Sequence, residues 1–276
     1  MEQTLNVRGR LMSLERPVVM GILNATPDSF YAGSRVQTER EIALRAQQIV
    51  AEGGTIIDIG AFSTRPGASE VAEADEAERL RSALLTVRRE LPDVAISVDT
   101  FRPQVARKCI EWGADIINDV SEGGLAGIAH SPLGEQGQMF ATVAELRVPY
   151  ILTSVRPDIQ QMLLHFSREI DELHSLGVSD IIVDPGFGFG KTTAENFAVM
   201  RRLDALHALG CPLLVGVSRK SMIYKTLDTT PDEALTGTTV LHTLALEAGA
   251  KILRTHDVKE ACEAVAIMEQ VQAQQP

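Results

Sequence analysis

Continuous apolar runs, rich in β-branched residues, recur along the chain and alternate with longer stretches whose apolar positions have helical spacing. The runs begin near residues 18, 55, 94, 115, 149, 180, 212 and 251. Their mean spacing of about 33 residues is close to the roughly 30 residues of one strand–helix–strand unit. Runs that are apolar at every position are typical of parallel strands covered on both faces. The pattern therefore predicts eight parallel strands with a helix after each.

Local signals mark the ends of the predicted helices. Three hydroxyl residues are followed three positions later by glutamate, the pattern of a capping box at a helix start: Thr38 with Glu41, Thr192 with Glu195 and Thr230 with Glu233. Four glycines lie where a left-handed backbone commonly ends a helix before the next strand: Gly54, Gly113, Gly177 and Gly249. These signals support the alternation of strands and helices.

Eight strand–helix units in about 260 residues predict an α/β fold, a single (β/α)8 TIM-type barrel with its active site at the C-terminal ends of the strands. An open, doubly wound sheet is the alternative that the periodicity leaves. Because no linker or composition break interrupts the chain, we expect one domain over residues 1–276, with a core of about 17–268. The glycine-rich segment 121–138 is predicted to be a loop over the barrel mouth.

Composition and charge limit the possible partners. The chain has 26 Lys and Arg against 37 Asp and Glu, a net charge of −11, which argues against a nucleic-acid partner. It contains no run of about 18 apolar residues that would span a membrane. The three cysteines, Cys109, Cys211 and Cys262, form no Cys-x-x-Cys pair and no disulfide framework. We therefore expect a protein of the reducing cytoplasm.

Polar and charged residues follow seven of the eight predicted strands. They are Asn24, Asp58, Asp99, Asn118 with Asp119, Asp184, Ser218 to Ser221, and Arg254 to Asp257. A single aspartate at such a position is usually a helix cap or half of an ion pair. Because the C-terminal ends of all strands meet at one face of a barrel, seven polar ends together predict a shared pocket.

The distribution of charge within this set suggests the chemistry of a ligand. Lys220, Arg254 and His256 follow the last two strands, where such barrels often bind phosphate. The alternative for Arg254 is an ion pair with Asp257 or Glu260. A second group, on the opposite part of the rim, consists of Asp99, Asn118 and Asp184. Carboxylates and an amide suit a flat heterocycle whose edge presents N–H donors, so we expect a phosphate-bearing ligand of this kind.

Several common motifs are excluded. The stretch GFGFGKT is not a P-loop, since its first glycine would fall at Pro185, and a dinucleotide fingerprint would need glycine at Lys191. The histidines lack the spacing of a zinc-binding helix. No Gly-x-Ser-x-Gly elbow occurs and no cysteine lies at a strand end, so we do not expect a covalent nucleophile.

The motifs at the strand ends resemble those of the dihydropteroate synthase family. They are GILNATPDSF, GGTIIDIGAFSTRPGA, ISVDTF, GADIINDVS, IIVDPGFGFGKT, VGVSRKS and ILRTHDV, and the resemblance covers about residues 17–268. This family of transferases joins 6-hydroxymethyl-7,8-dihydropterin diphosphate to para-aminobenzoate in folate biosynthesis, giving 7,8-dihydropteroate and diphosphate. The same resemblance implies Mg²⁺ as cofactor, sulfonamides as inhibitors and a homodimer.

The resemblance also implies a role for each motif residue. The pterin-binding group would be Asp99, Asn118, Asp184 and Lys220. Arg254 and His256 would hold the diphosphate, and Asn24 would contact the metal. The para-aminobenzoate wall would consist of Thr64, Arg65, Pro66, Phe189 and Ser221. Catalysis would depend on Asp99, Lys220, Arg254 and His256.

The resemblance predicts mobile segments, and the chain departs from the family pattern in places. Segments 23–34 and 62–69 resemble the loops that close over the substrates, so para-aminobenzoate is expected to bind after the pterin diphosphate. Phe62 stands where the family usually has glutamate, and Thr153-Ser154 replaces a His-Met pair. A pterin-binding methyltransferase module and a catalytically inactive paralogue are the alternatives. The Ser-Arg-Lys-Ser and Arg-Thr-His motifs favour the synthase, because a methyl donor has no diphosphate to hold.

Overall fold

A computed structural model of the chain describes residues 3–25, 32–61, 71–123 and 138–273. The strands are β1 (Thr4–Val7), β2 (Arg10–Ser13), β3 (Val18–Asn24), β4 (Ile56–Gly60), β5 (Ala95–Asp99), β6 (Ile116–Asp119), β7 (Tyr150–Thr153), β8 (Ile181–Asp184), β9 (Leu214–Val215) and β10 (Ile252–Thr255). The α-helices are α1 (Ala32–Ala51), α2 (Glu73–Glu90), α3 (Pro103–Glu111), α4 (Gln138–Leu146), α5 (Ile159–Ser175), α6 (Thr193–Arg201), α7 (Ser221–Thr226), α8 (Leu235–Glu247) and α9 (Val258–Gln272). Two short 3₁₀ helices cover Leu203–Leu209 and Pro231–Glu233.

Eight of the strands form a parallel barrel. Their order is β8-β7-β6-β5-β4-β3-β10-β9, and a bridge between Val183 and Leu213 joins the two outer strands. Each strand begins within two residues of its predicted start. The predicted barrel is confirmed, and the alternative of an open sheet is wrong.

Alternation along the strands divides the barrel interior into levels. Side chains at successive strand positions point to opposite faces, so every second residue enters the barrel. The lowest level, the floor, is apolar and packs with the N-terminal hairpin; its residues are Met20, Ile56, Ala95, Ile116, Ile151, Ile182, Leu214 and Ile252. The residues between them face outward and pack against the helices, as Ile57 and Val98 do.

Two residues beyond the floor, the inward positions become polar. We call this level the polar layer, and it consists of Asp58, Ser97, Asn118, Thr153, Asp184 and Arg254. The remaining two strands place Ile22 and Gly216 at the corresponding positions. A polar level above a packed apolar floor produces a pocket that opens only toward the C-terminal ends of the strands.

The N-terminal residues form an antiparallel hairpin that closes the other end of the barrel. β1 and β2 pair with each other around a turn at Arg8 and Gly9, both of which have positive φ. Leu5 and Leu14 are buried and belong to the same cluster as the floor residues. This hairpin lies outside the core predicted from sequence and was missed, because its strands have only four residues each.

Three of the four glycines that were predicted to end helices have the predicted left-handed backbone conformation. Gly113, Gly177 and Gly249 have positive φ, as predicted. In the first unit the left-handed residue is Gly53, with φ of 99°, rather than Gly54. Gly54 is needed for a different reason, since a Cβ there would lie 2.9 Å from the carbonyl oxygen of Ile49.

The predicted capping boxes have three different outcomes. Thr192 and Glu195 form a capping box at the start of α6, as predicted. Thr230 and Glu233 also form one, but it begins a 3₁₀ helix rather than an α-helix. Thr38 lies within α1, which begins at Ala32, so its prediction as an N-cap is wrong.

Parts of three predicted loops lie outside the described residues. These parts are 26–31, 62–70 and 124–137, and they include Phe62, Thr64, Arg65 and Pro66. Residues 32–34, assigned to a loop from sequence, instead begin α1. In the described part of the chain, no helix is both long enough and apolar enough to cross a membrane.

Candidate active site

Arg254 links four strands at the level of the polar layer. Its Nε donates to Asp58 Oδ2 at 2.6 Å, and its Nη2 donates to Asp99 Oδ2 at 3.1 Å. Asn118 Nδ2 also donates to Asp58 Oδ2, at 3.2 Å. The predicted alternative, an ion pair with Asp257 or Glu260, is wrong, because Asp257 instead accepts from Arg219 at 2.7 and 3.0 Å. Side chains from β4, β5, β6 and β10 therefore meet in one network.

Asp99 has an unusual protonation equilibrium for a carboxyl group. Burial raises its pKa to about 7, because the charged form loses hydration. The neighbouring Arg254 guanidinium opposes this shift, while the carboxyls of Asp58 and Glu76 add to it. Near neutral pH the group is therefore divided between a form that accepts hydrogen bonds and a form that can also donate one.

Asp184 lies at the end of β8, next to this network. Its Oδ1 accepts from the backbone N–H of Gly186 at 2.7 Å. Burial raises its pKa, and the ammonium group of Lys220 acts in the opposite direction. A Cβ at Gly216 would lie 3.9 Å from Asp184 Oδ2 and 3.7 Å from Arg254 Cβ. The glycine therefore leaves the interior open between the two charged side chains.

Lys220 brings an ammonium group to the same end of the barrel. Its Nζ donates to the carbonyl of Phe187 and lies 4.7 Å from the centroid of the Phe189 ring. Burial lowers the pKa of Lys220 to about 8, and the carboxylate of Asp184 counteracts this effect. Lys220, Asp184 and Phe189 thus form a second group beside the Arg254 network. Ser221 follows Lys220 directly, as the first residue of α7.

His256 and Asn24 lie together at the rim. Both line a cavity of about 510 Å³, together with Ile22, Arg45, Gln48, Glu52, Arg219, Asp257 and Glu260. Burial lowers the pKa of His256 to about 4, and the positive charges of Arg254, Arg219 and Arg45 contribute. The imidazole is therefore neutral at pH 7. The backbone carbonyl of His256 accepts from Arg45 Nη2 at 2.6 Å, which connects the rim to α1.

Two residues near the site have structural roles instead, Asp119 at the end of β6 and Lys191 after β8. Asp119 faces outward and accepts hydrogen bonds from Ser121, Gly123 and the Tyr150 hydroxyl. Lys191 donates from Nζ to the carbonyls of Ser154, Gly186 and Phe189, at 3.0–3.1 Å. It stabilises the turn after β8, in agreement with the rejection of a P-loop.

The predicted site residues form two groups plus a rim. Asp99, Asn118 and Arg254 belong to the first group, Asp184, Lys220 and Phe189 to the second, and Asn24 with His256 to the rim. Thr64, Arg65 and Pro66 lie outside the described residues, so their place in the site stays a prediction.

Three residues of the polar layer had no role predicted from the sequence: Asp58, Ser97 and Thr153. Asp58 was noted at a strand end without a function, although it accepts from both Arg254 and Asn118. The missing step was strand parity, because each of these residues lies two positions beyond a floor residue. Arg45 lies on α1 rather than on a strand, so strand parity could not have indicated its place at the rim.

Comparisons with known proteins agree with this geometry. A family model described as "Pterin binding enzyme" matches residues 20–256. The chain is 38% identical to the dihydropteroate synthase of Bacillus subtilis over 263 residues, covering 92% of this chain and 88% of that protein. It is 40% identical to the dihydropteroate synthase of Synechocystis over 261 residues, covering 89% of this chain and 86% of the relative.

Solved structures similar to this chain are also dihydropteroate synthases. The 7,8-dihydropteroate synthase from Vibrio fischeri has a TM-score of 0.87 and 34% identity, with 99% of each chain covered. The Xanthomonas albilineans dihydropteroate synthase with 4-aminobenzoic acid has a TM-score of 0.85 at 34% identity, again with 99% of each chain covered. These relatives are synthases rather than methyltransferases. From the barrel and these matches together, the chain belongs to the dihydropteroate synthase family of pterin-binding enzymes.

Proposed function

We propose that the polar layer and the rim above it are the site at which this transferase makes 7,8-dihydropteroate. The observation that carries the proposal is the arrangement of two charged groups, one around Arg254 and one around Asp184 and Lys220, over an apolar floor. A flat, polar heterocycle fits between them. Its diphosphate would extend to the rim, where His256 and Asn24 line a cavity.

The buried carboxylates and amide would bind the pterin ring. Asp184 can accept from the ring N–H and the exocyclic amine, and Lys220 can donate to the ring carbonyl. Asn118 Oδ1 is buried and has no hydrogen-bond partner among the described residues, so it is available to accept from the ligand. Asp99 would complete this set, since its carboxyl can both accept and donate near neutral pH.

The leaving group would be bound at the rim. Arg254 lies in β10 at the level of the polar layer, and His256 is the first residue after that strand. Arg45 and Arg219 line the same cavity as His256, but so do Glu52, Asp257 and Glu260, and Arg219 already pairs with Asp257. We infer that an arriving diphosphate favours protonation of His256, because it brings negative charge beside a neutral imidazole.

Magnesium is part of the proposal. In the described ranges, no group of three or more His, Cys, Asp or Glu side chains could hold a metal ion by itself. Asn24 is exposed at the end of β3 and lines the rim cavity, so its amide oxygen is accessible. Mg²⁺ is commonly bound by one or two protein oxygens together with substrate phosphates and water. The residues present fit an ion held by Asn24 and the diphosphate, where it would neutralise charge on the leaving group.

The reaction would be a substitution at the exocyclic methylene of the pterin. The carbon–oxygen bond to diphosphate breaks ahead of attack, and the oxygen keeps the bonding electron pair. Positive charge on the methylene spreads into the dihydropterin ring that the polar layer orients. The amine of para-aminobenzoate then forms the carbon–nitrogen bond and releases a proton to water. Because the aromatic amine is already a nucleophile, orientation and charge stabilisation carry the rate.

The para-aminobenzoate site would lie beside Lys220. Phe189 and Ser221 are the described residues that support it, and Thr64, Arg65 and Pro66 would complete its wall. The related Xanthomonas albilineans structure is described with 4-aminobenzoic acid, and a Yersinia pestis relative is described in complex with a sulfonamide drug. We therefore expect sulfonamides to compete with para-aminobenzoate here.

A direct assay tests the activity. Purified protein is incubated with Mg²⁺, 6-hydroxymethyl-7,8-dihydropterin diphosphate and labelled para-aminobenzoate, and labelled dihydropteroate is measured. In parallel, calorimetry compares binding of Mg²⁺-diphosphate and of bare 6-hydroxymethylpterin to wild type and to Arg254→Ala. Arg254→Ala should weaken diphosphate binding more than pterin binding. No labelled product from the wild type would overturn the proposed function, and equal weakening would overturn the leaving-group role of Arg254.

We also propose that the protein forms a homodimer through α8 and α9. These neighbouring helices expose apolar pairs one helical turn apart, Val240 with Leu244 and Ile267 with Val271, each about half exposed or more. Exposed apolar patches commonly mark interfaces. Light scattering after gel filtration should show a dimer for wild type and a monomer for the double variant Val240→Lys, Ile267→Lys. Leu164→Lys, at an exposed position on α5, is the control and should stay dimeric.

A cytoplasmic location belongs to the same proposal. Cys109, Cys211 and Cys262 are all free, and the first two are buried. Free buried thiols are typical of proteins in a reducing compartment. Detection of the protein in the cytoplasmic fraction of fractionated cells would test this.

A further inference from the structure

Thr153 projects into the barrel interior beside a predicted pterin-binding residue. On β7, Tyr150 and Leu152 pack outward, whereas Ile151 belongs to the floor. The next inward residue is therefore Thr153, and its register partner on β8 is Asp184. The side chain has no solvent exposure. It thus occupies the polar layer directly next to Asp184.

The hydroxyl of Thr153 has no hydrogen-bond partner among the described residues. Its methyl group packs against the turn after β8, since Cγ2 would lie 3.0 Å from a Cβ at Gly186. Because the Cβ of Thr153 is tetrahedral, its hydroxyl points in a different direction from this methyl group. A buried hydroxyl without a partner is unfavourable, because it loses its hydrogen bonds to water and gains none in return.

Two neighbouring strands repeat the same feature. Ser97 Oγ on β5 and Asn118 Oδ1 on β6 are also buried without a partner among the described residues, and both lie in the polar layer. Buried threonines elsewhere do have partners. Thr100 donates to Glu76, and Thr142 accepts from Arg107. Three consecutive strands therefore present unused hydrogen-bonding atoms to the same interior space.

We propose that Thr153 is a specificity-determining contact, whose hydroxyl forms a hydrogen bond with the same heterocycle edge that Asp184 binds. The inference rests on the proposed function and extends it. A carboxylate accepts from ring N–H groups, whereas a hydroxyl can donate to an adjacent ring nitrogen. Together the two residues select a heterocycle whose edge presents both donors and acceptors.

The isosteric substitution Thr153→Val tests this proposal. Titration calorimetry with 6-hydroxymethylpterin should show binding about threefold to tenfold weaker than wild type, as expected for one neutral hydrogen bond. The melting temperature of the free variant should equal or exceed that of wild type, because the substitution removes an unsatisfied polar group. Thr153→Ser, which retains the hydroxyl, should recover most of the affinity. Thr142→Val, a buried threonine on α4, is the control and should bind pterin like wild type.

The outcomes separate this inference from the proposed function. If wild type itself does not bind 6-hydroxymethylpterin, the proposed function and the inference both fail. If wild type binds and Thr153→Val binds equally well, only the inference is overturned. A loss of affinity together with a lower melting temperature would also overturn it, because the hydroxyl would then be stabilising the free protein.

Discussion

Burial moves the pKa values of the charged groups in this site toward neutrality. It raises the pKa of Asp99 to about 7 and lowers that of Lys220 to about 8, since each charged form loses hydration. Asp184 shifts in the same direction as Asp99. The groups remain close enough to partly stabilise each other's charge. The charged side chains of such a site are already oriented before the ligand binds, so less reorganisation is needed on binding.

Asp184→Asn tests the hydrogen-bonding role of the second group. The amide is similar in size to the carboxylate but can present N–H toward the N–H edge of the pterin. Loss of a charge-assisted bond and creation of a mismatched donor should cost about 1.5–3 kcal/mol in pterin binding. Calorimetry with 6-hydroxymethylpterin measures this. Unchanged affinity would mean that Asp184 does not contact the ring.

A buried carboxyl outside the site should make stability depend on pH. Glu169, on α5, is 4% exposed, and burial raises its pKa to about 8. The negative charges of Glu122, Glu172 and Asp119 add to this shift, while Arg156 opposes it. The folded state therefore holds this proton to higher pH than the unfolded state does, and stability decreases as the pH rises from about 5 to 8.

Glu169→Gln should remove this contribution. Glutamine does not ionise, so the free energy of unfolding of the variant should exceed that of wild type by an amount that grows with pH, to about 4 kcal/mol near pH 8. Urea unfolding at several pH values between 5 and 8.5 measures the difference. A constant difference across that range would show that Glu169 has the same pKa in both states.

At the scale of elements, the N-terminal hairpin completes the barrel. It covers the floor with Leu5 and Leu14, which are almost fully buried, while Leu11 on the same hairpin is 76% exposed. The hairpin is therefore part of the folded core, although it lies far from the polar layer. We therefore expect its two strands to contribute to stability.

The two leucines of the hairpin provide a matched comparison. Leu5→Ala leaves a cavity against the floor and should lower the free energy of unfolding by about 2–4 kcal/mol. Leu11→Ala removes the same atoms from a surface position and should change it by less than about 0.5 kcal/mol. Urea denaturation of both variants measures the effects. Similar values for the two would mean that the hairpin does not pack against the floor in solution.

At the scale of the whole molecule, the proposed site combines strand residues with a segment that the sequence predicts to be a loop. The proposed pterin end rests on strand residues whose neighbours are packed, so we expect it to be preformed. Of the predicted para-aminobenzoate wall, only Phe189 and Ser221 lie in the described part of the chain, and the rest belongs to segment 62–69. The family resemblance predicts a mobile loop there, and ordering a mobile loop costs conformational entropy that a bound ligand can offset.

We therefore expect an order of binding. Para-aminobenzoate should bind measurably only after Mg²⁺-diphosphate and a pterin occupy the site, and a sulfonamide should follow the same order. Titrations with and without these first ligands test the expectation. Comparable affinity in both conditions would mean that the amine site is formed without them.

Local sequence patterns determined the elements and the type of fold. A strand covered on both faces is apolar at most of its positions, and a capping box places a hydroxyl three residues before a glutamate. Such requirements are met by neighbours in the chain, so the eight strands and the box at Thr192 could be predicted. The polar strand ends likewise indicated a pocket, because every parallel strand in a barrel ends at the same face. The reaction was predicted from the resemblance of the strand-end motifs to those of the dihydropteroate synthase family.

Tertiary structure alone decided which of these residues meet. Arg254 has acidic neighbours in sequence, Asp257 and Glu260, yet it pairs with Asp58 and Asp99 from distant strands. The reason is strand parity and register, which place its guanidinium inside the barrel and Asp257 against Arg219. Parity also turns Thr153 inward beside Asp184, although the two are separated by a whole helix in the chain. Such contacts depend on how strands align across the barrel, and no local pattern contains that alignment.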